Sequence, residues 1–381
     1  MRLFHLGRKA KADILIFDII GAGWIHQCLP VNCTSVTVNF RHGFPFFLSF
    51  KFFQGAVNAL LRYSPIEPAW LSTIIFSGIV EHLSPRIIVS CADNNLMLAR
   101  FAEINSKIKV VLVQNALRDT VGSITPGQAL PTYLAFGLAE KKIFTRLGVS
   151  CESYLPIGSV KLGLALSTER QINHYSSDIA FISNYRPDMA KQGRTQVERL
   201  LERNQKWLFS SCVDYVQSTD SEIAVIIKSR NHTDQIAERH YFMNLANQER
   251  LHFVTPDKAS KELDSYFAGL SSAMVIHSGS TLGFELFGAG KKVFLGATAD
   301  PELVNGWGIS EYLNILPDFV KMTPNREMID FRSLVDHILA MSMDEYLEIT
   351  REARAALMSI PADVAPNIKV RTTIEHLLKG A

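Results

Sequence analysis

Short apolar runs of β type alternate with helical stretches along almost the whole chain, and this rhythm constrains the fold most. In the first half such runs cover residues 13–20, 35–40, 86–90 and 109–114, and residues 94–104 have helical spacing. Short Val- and Ile-rich runs bounded by turn residues are typical of strands buried on both faces. Their alternation with helices predicts parallel β-sheets covered by helices.

The rhythm stops in a polar stretch over residues 166–177 and then starts again. Further strands are predicted at 178–183, 223–228, 251–254, 273–277 and 292–295, and helices at 189–217, 282–288, 343–358 and 367–378. We therefore expect an α/β fold with two facing Rossmann-like domains, over 1–170 and 171–360, and a cleft between them. A C-terminal helix within 361–381 would pack back toward the N-terminal domain.

Bulk composition agrees with two globular domains and excludes some classes of protein. The chain has 381 residues, of which 47% are hydrophobic and 20% charged, so each domain can bury a core. The net charge of +2 argues against a nucleic-acid-binding protein, which usually has a basic excess. The five cysteines are odd in number and lack CxxC spacing, which favours a reducing, cytoplasmic location without disulfides or a zinc site.

The N-terminal segment lacks the apolar core and the cleavage site of a signal peptide. Residues 12–29 are the best candidate for a transmembrane span, but they carry Asp13, Asp18 and His26. No membrane-spanning helix is therefore expected.

The strongest signal for ligand binding is a Ser- and Gly-rich turn between a predicted strand and a predicted helix, at His277, Ser278, Gly279, Ser280 and Thr281. The free N–H groups and the positive dipole end of such a helix favour a phosphate. Glu285 follows one turn into the helix and could reach a ribose diol. Alternatively, Ser280 or Thr281 only caps the helix, and Glu285 only interacts with the helix dipole.

Two more groups follow predicted strands of the second half, at Ser183, Tyr185 and Arg186, and at Lys228 and Arg230. Ligands of open α/β sheets bind beyond the carboxyl ends of the strands. The cations there suit a diphosphate or a sugar carboxylate. The alternative is a solvated loop, with Arg186 paired to a surface acid.

In the first half, Asp93 and Asn94 follow one predicted strand, and Gln114 and Asn115 follow the next. An aspartate at a strand end could act as a general base or orient a hydroxyl group, and the amides could bind sugar hydroxyls. The alternative for Asp93 is an N-cap of the helix that follows.

Cofactor motifs are weak in this sequence. Gly21-Ala22-Gly23 follows the first strand, but His26 stands where a dinucleotide fingerprint has its third glycine, so NAD is not expected. The histidines are scattered, without an HExxH motif or a carboxylate cluster, so no metal is expected. No other cofactor is predicted.

Residues 40–63 form a Phe-rich segment with Arg41, Lys51 and Arg62 interspersed. Such a segment could lie on a membrane surface and bring the protein to a lipid-linked partner. The alternative is a helix buried against the sheet.

Taken together, these motifs resemble a bacterial family of surface-carbohydrate biosynthesis transferases. The resemblance covers about residues 12–296 and rests on the Asp93-Asn94 and Gln114-Asn115 pairs, the Gly158-Ser159 turn, and the segments at 178–186, 226–230 and 278–293. The last segment, SGSTLGFELFGAGKKV, is also similar to part of capsule-type Kdo transferases and CDP-glycerol glycerophosphotransferases, which are two-lobed GT-B enzymes.

The resemblance implies a metal-independent GT-B glycosyltransferase that serves capsule, lipopolysaccharide or other envelope polysaccharide synthesis. It implies a UDP-, GDP- or CMP-linked sugar donor on residues 171–360, and a glycan or lipid-linked acceptor on 1–170. By the same resemblance, the Ser-Gly turn and Glu285 would hold the donor phosphate and ribose. Asp93, Asn94, Gln114 and Asn115 would face the transferred sugar and the acceptor.

Three other functions remain open at this point. A donor of the CMP-linked ulosonic acid class, such as Kdo or a sialic-type sugar, would bring its carboxylate to Arg186, Lys228 and Arg230. A sugar-nucleotide 2-epimerase would share the architecture but needs acid and base groups on both faces of the sugar ring. A glycan-binding protein without catalysis is the non-enzymatic alternative.

Overall fold

The chain forms two compact units in the computed structural model, one of Met1–Leu164 with Pro361–Ala381 and one of Ala165–Ile360. The sequence places the boundary slightly later, after residue 170. The structure describes residues 11–40, 47, 49–63, 69–118, 124–168, 177–185, 195–229, 231–246, 250–255, 263–296, 310–322, 328–360 and 364–380.

The first unit is built on a six-stranded sheet in the order β2-β1-β3-β4-β5-β6, with every neighbouring pair parallel. Its strands are β1 Ile14–Phe17, β2 Ser35–Val38, β3 Ile87–Ser90, β4 Lys109–Val113, β5 Ala129–Ala135 and β6 Ser150–Pro156. All residues of β1 and β3 are buried, as expected for parallel strands covered on both faces.

Helices lie between most of these strands or follow the last of them, whereas the described residues between β4 and β5 form no helix. They are α1 Ala22–Cys28, α2 Phe50–Leu60, α3 Trp70–Leu83, α4 Leu96–Ile104, α5 Ala139–Arg146 and α6 Val160–Leu166, with α15 Pro366–Lys379 at the end of the chain. The last helix packs on the first unit: the Arg371 guanidinium donates to the Gln27 carbonyl at 3.0 Å, and Arg86 donates to the Leu378 carbonyl.

The second unit contains a five-stranded parallel sheet in the order β11-β10-β7-β8-β9. Its strands are β7 Ile179–Ile182, β8 Ile223–Ile226, β9 Leu251–Val254, β10 Met274–His277 and β11 Lys292–Leu295. The chain adds β8 and β9 on one side of β7, and β10 and β11 on the other. The direction of strand addition therefore reverses between β7 and β10, which is where open α/β sheets bind ligands.

The helices of the second unit are α7 Gln196–Thr219, α8 His232–Met243, α9 Asp264–Ser271, α10 Thr281–Gly288, α11 Ser310–Leu313, α12 Met328–Ala340, α13 Met343–Ile349 and α14 Arg351–Leu357, with a 3₁₀ helix at Asp318–Val320. The single helix predicted over 343–358 is two helices that meet at Thr350. The Thr350 hydroxyl donates to the Tyr346 carbonyl at 2.6 Å, a bond that bends helices. None of the helices in the described part of the chain is long and apolar enough to cross a membrane.

Candidate functional site

Three strand ends of the second unit are joined by a chain of side-chain hydrogen bonds. The Lys228 ammonium, after β8, donates to the Asn184 side-chain oxygen at 3.1 Å. The Asn184 amide, after β7, donates to the Ser278 hydroxyl at 2.8 Å and to the Ser278 carbonyl at 3.2 Å. Asn184 and Ser278 thus span the point between β7 and β10 where the strand order reverses.

Buried polar groups hold this chain in place. The Gln205 side-chain oxygen, on α7, accepts the Asn184 backbone N–H. The Glu238 carboxylate, on α8, accepts the backbone N–H groups of Lys228 and Ser229 at 3.1 and 2.9 Å. Lys228 was predicted for the site, and Asn184 stands within the predicted group at 183–186, although no contact was assigned to it. Gln205 and Glu238 were not predicted, because they lie within helices rather than after a strand.

The His277 imidazole holds the turn that follows β10, and a ligand contact stays a prediction for this residue. Its Nδ1 atom accepts the backbone N–H groups of Gly279 at 3.1 Å and Ser280 at 2.9 Å. Gly279 has a φ of 101°, which suits a glycine and folds the turn back over the imidazole. The two N–H groups are therefore engaged by the imidazole. A phosphate at this turn would have to use the Ser280 hydroxyl and the first turn of α10.

Ser280 occupies the N-cap position of α10, but its side chain makes no capping hydrogen bond. The Ser280 residue is only 3% exposed, and its hydroxyl has no hydrogen-bond partner among the residues that the structure describes. Since buried polar groups are normally paired, an unpaired hydroxyl at the positive end of a helix indicates a place for an anion. The capping role considered for Ser280 is not found.

Glu285 is buried inside the second unit, where its carboxylate accepts the Tyr266 hydroxyl at 2.7 Å. Contact with a ribose diol stays a prediction for this residue. Thr281 is half-buried at the first position of α10.

Ser183 and Tyr185 follow β7 beside Asn184. The buried Ser183 hydroxyl accepts the Tyr185 backbone N–H at 3.0 Å, and the Tyr185 ring lies 5.2 Å from the Tyr241 ring. Arg186 and Arg230, which were predicted for the same site, lie outside the described residues.

The His277 environment predicts a pH dependence of stability. Burial first, and the positive charge of Lys228 second, lower the pKa of His277 from 6.5 to about 3. The unfolded chain therefore binds a proton below pH 6.5 that the folded protein excludes. The free energy of unfolding should fall by up to about 1.4 kcal/mol per pH unit between pH 6.5 and 3, and the contribution is complete above pH 6.5.

This contribution is measured by urea unfolding of the wild type and of His277→Asn at several pH values. Asn keeps a side-chain oxygen that can accept the turn N–H groups, but it does not titrate. The difference between the two curves isolates His277 from the carboxylates that also titrate in acid. Parallel curves from pH 7 to 4 would show that the imidazole is not held neutral.

In the first unit, Asp93 forms a buried ion pair with Arg118. Arg118 Nε donates to Asp93 Oδ2 at 2.7 Å, and Arg118 Nη2 donates to Asp93 Oδ1. The Tyr133 hydroxyl, on β5, donates to the same carboxylate at 2.6 Å. Burial lowers the pKa of Arg118, but Asp93 and Tyr133 raise it more, so the guanidinium stays charged.

Asp93 is 0% exposed, and both of its carboxylate oxygens are engaged. This arrangement does not suit a general base, which has to reach an acceptor hydroxyl. It suits a positioning residue that connects the ends of β3, β4 and β5. A catalytic role for Asp93 stays a prediction. The capping role is not found either, because Asn95 caps α4 by accepting the Leu98 N–H.

Gln114 is also buried within a hydrogen-bonded network. Its side-chain oxygen accepts the Phe136 N–H at 2.7 Å, and its amide donates to Ala116 and to Glu140. The Asn115 amide donates to the Cys91 carbonyl at 2.5 Å. Of the four predicted residues in this unit, Asn94 alone is exposed at the carboxyl edge of the sheet.

Of the two glycines after β1, Gly21 has a structural explanation and Gly23 has none. Gly21 has a φ of 68°, and a Cβ there would lie 2.5 Å from the Cys91 sulfur, whereas a Cβ on Gly23 would meet nothing within 4 Å. The close approach of the chain segments after β1 and β3 accounts for Gly21. Among the described residues, no group of three or more His, Cys, Asp or Glu side chains could hold a metal ion.

Comparison with known proteins identifies the type of fold. No known protein family and no curated protein matches the sequence. A structure of the wall teichoic acid polymerase TagF matches with a TM-score of 0.53 at 10% identity, over 98% of this chain and 90% of that chain. A TagF structure soaked with CDPG gives 0.52 at 11% identity, over 98% and 90%.

A putative UDP-N-acetylglucosamine 2-epimerase from Listeria monocytogenes matches with a TM-score of 0.52 at 12% identity, over 97% of this chain and 95% of that chain. At such low identity the likeness concerns the fold. Together with the two parallel sheets, it shows that the chain has a GT-B-type fold of two Rossmann-like domains.

Proposed function

We propose that the protein is a GT-B glycosyltransferase that moves a sugar from a nucleotide-sugar donor to a cell-surface glycan or a lipid-linked acceptor. One observation carries the proposal: a buried, unpaired Ser280 hydroxyl begins α10, next to the Ser278, Asn184 and Lys228 chain. A hydroxyl donor, a helix N-terminus and an ammonium group together suit a nucleotide phosphate.

The phosphate is the leaving group of the proposed reaction. An acceptor hydroxyl would attack the anomeric carbon and release its proton to water, while the bond from that carbon to the phosphate oxygen breaks. The Ser280 hydroxyl and the Lys228 ammonium would stabilise the negative charge that develops on this oxygen. Positioning of the two substrates would supply the rest of the rate enhancement, and no metal is invoked.

Residues of the first unit would act on the acceptor. Asn94 would contact it, while Asp93 and Gln114 would hold the surrounding strand ends in place. Residues 40–63 would bring the protein to the membrane surface where a lipid-linked acceptor is found.

The proposal predicts a stabilising nucleotide. The purified protein is heated with UDP, GDP, CDP, CMP or dTDP, without added metal. A nucleotide at about 100 times its dissociation constant should stabilise the fold by about 2.7 kcal/mol and raise the melting temperature. CMP would favour an ulosonic acid donor. No shift with any of the five would contradict a donor site and favour a glycan-binding protein.

Two serine variants make the test specific. Ser280→Ala removes an unpaired hydroxyl, so the free protein should keep its melting temperature while the nucleotide shift disappears. Ser342→Ala is the matched control, since Ser342 caps α13 by accepting the Glu345 N–H at 3.1 Å. It should lower stability by about 1 kcal/mol and leave the nucleotide shift intact. A full shift in Ser280→Ala would exclude this hydroxyl from the site.

A further inference from the structure

Helix α2 presents a row of large apolar side chains to solvent. We call it the α2 stripe; it consists of Phe50, Phe53, Val57, Leu60 and, just after the helix, Leu61. Phe50 is 83% exposed and Leu61 80%, and the other three are about half-exposed. The spacing of three or four residues puts them on one helical face. A surface helix normally turns this face toward the core.

The inner face of α2 explains why the stripe points outward. Gly55 packs directly on α3, where a Cβ would lie 2.7 Å from the Ser77 carbonyl oxygen. On the facing helix, a Cβ on Gly78 would lie 2.7 Å from the Phe52 carbonyl oxygen. The two backbones therefore approach closely through glycines, and Ala59 is buried on the same face. This packing fixes the rotation of α2 and leaves the stripe uncovered.

The charged residues of the Phe-rich segment itself are all basic. Residues 40–63 contain Arg41, Lys51 and Arg62 but no Asp or Glu. Arg41 lies outside the described residues, so Lys51 and Arg62 are the cations of this segment that the structure describes. Arg62 is exposed and donates to the Ile104 carbonyl at 3.3 Å, and it shares a depression with Lys107. Glu81 also lines that depression, on the α3 side of the helix, where it packs next to Gly55.

We propose that the α2 stripe inserts into the surface of an anionic lipid bilayer, with the flanking cations at the headgroup phosphates. An amphipathic helix with aromatic and leucine side chains on one face and basic residues beside them is typical of interfacial binding. A second copy of the chain fits less well, because symmetric pairing of two α2 helices would bring Lys51 and Arg62 of both copies together, and α2 carries no acid. Membrane binding would give access to a lipid-linked acceptor, and in this respect the inference rests on the proposed function.

Vesicle flotation of the full chain tests the inference. Vesicles of phosphatidylcholine with phosphatidylglycerol should carry the protein upward, and vesicles of phosphatidylcholine alone should carry much less. Phe50→Ser with Leu61→Ser should weaken binding by at least about tenfold, since two large side chains leave the bilayer. Lys51→Gln with Arg62→Gln should weaken binding to anionic vesicles by about fivefold per charge.

Val31→Ser with Ile349→Ser is the matched control, because these apolar residues are 94% and 50% exposed but belong to other segments, Val31 to the turn before β2 and Ile349 to α13. It should bind like the wild type. Equal binding by the Phe50 and Leu61 variant, or no binding by the wild type, would overturn the inference. So would a dimer in analytical ultracentrifugation that the same variant dissociates. The nucleotide shift should be unchanged in every one of these variants, so a failure here is distinct from a failure of the donor site.

Discussion

Replacing Asp93 with Asn is expected to lower the free energy of unfolding by about 3–5 kcal/mol, because Arg118 would keep its charge in a buried site without a counter-charge. The guanidinium side chain is only 9% exposed, and Asp93 is fully buried. Asn also accepts fewer hydrogen bonds, so the Tyr133 hydroxyl loses part of its interaction. Urea unfolding at pH 7 measures the effect.

Two further variants separate the charge from the shape of the side chain. Arg118→Met alone should cost a similar amount, because it leaves the Asp93 carboxylate without its cation. The double variant should be more stable than either single one, since a buried pair can be replaced by neutral groups at little cost. Asp220→Asn is the control: its partner is Arg250, and the two side chains are 88% and 41% exposed. A surface pair contributes at most about 1 kcal/mol.

The outcome also decides between the two roles of Asp93. If Asp93 is a positioning residue, the turnover of Asp93→Asn falls in proportion to its folded fraction. The double variant Asp93→Asn with Arg118→Met then regains part of the activity. If Asp93 is a general base, Asp93→Asn loses turnover even in protein that remains folded, and adding Arg118→Met does not restore it. If Asp93→Asn lowers the free energy of unfolding no more than Asp220→Asn does, the result contradicts a buried ion pair between Asp93 and Arg118.

Much of the fold could be predicted from the sequence, because strands buried on both faces read as short continuous apolar runs. The strands β7 and β10 are examples, and both were marked by their Ile, Val and Phe content. The break between α13 and α14 could not be predicted, since it depends on how the Thr350 hydroxyl bonds within a continuous helical pattern.

The candidate site could be located from the sequence, but its internal contacts could not. Polar residues after parallel strands meet at one edge of a sheet, which is why Ser278 and Lys228 were selected. Asn184 reaches Ser278 across 94 residues of sequence, and no local pattern marks such a pair. The exposure of the α2 stripe could not be predicted either, because apolar periodicity does not reveal which side of a helix faces the core.

Gly283→Ala is expected to lower the free energy of unfolding by about 2–4 kcal/mol, from overpacking and from weakened hydrogen bonds of the turn. A Cβ on Gly283 would lie 2.4 Å from the Cγ and Cδ2 atoms of His277. The ring cannot simply move, because its Nδ1 accepts two backbone N–H groups and it packs in a T-shaped arrangement with the Phe284 ring, with 5.2 Å between the ring centroids. Gly23→Ala, in a helix with open space, should leave stability unchanged or raise it by about 0.5–1 kcal/mol.

A double-mutant cycle tests whether the imidazole is the group that Gly283 accommodates. His277→Ala removes the atoms that the new Cβ would meet, so Gly283→Ala should cost little in that background, and the two variants should couple by about 1–3 kcal/mol. If the losses of stability in Gly283→Ala and His277→Ala simply add, a contact other than the imidazole makes a glycine necessary at position 283. Because the imidazole also holds the Ser280 N–H, Gly283→Ala should abolish the nucleotide shift even where the protein is still folded. That result would connect the packing of one helix to the geometry of the proposed phosphate site.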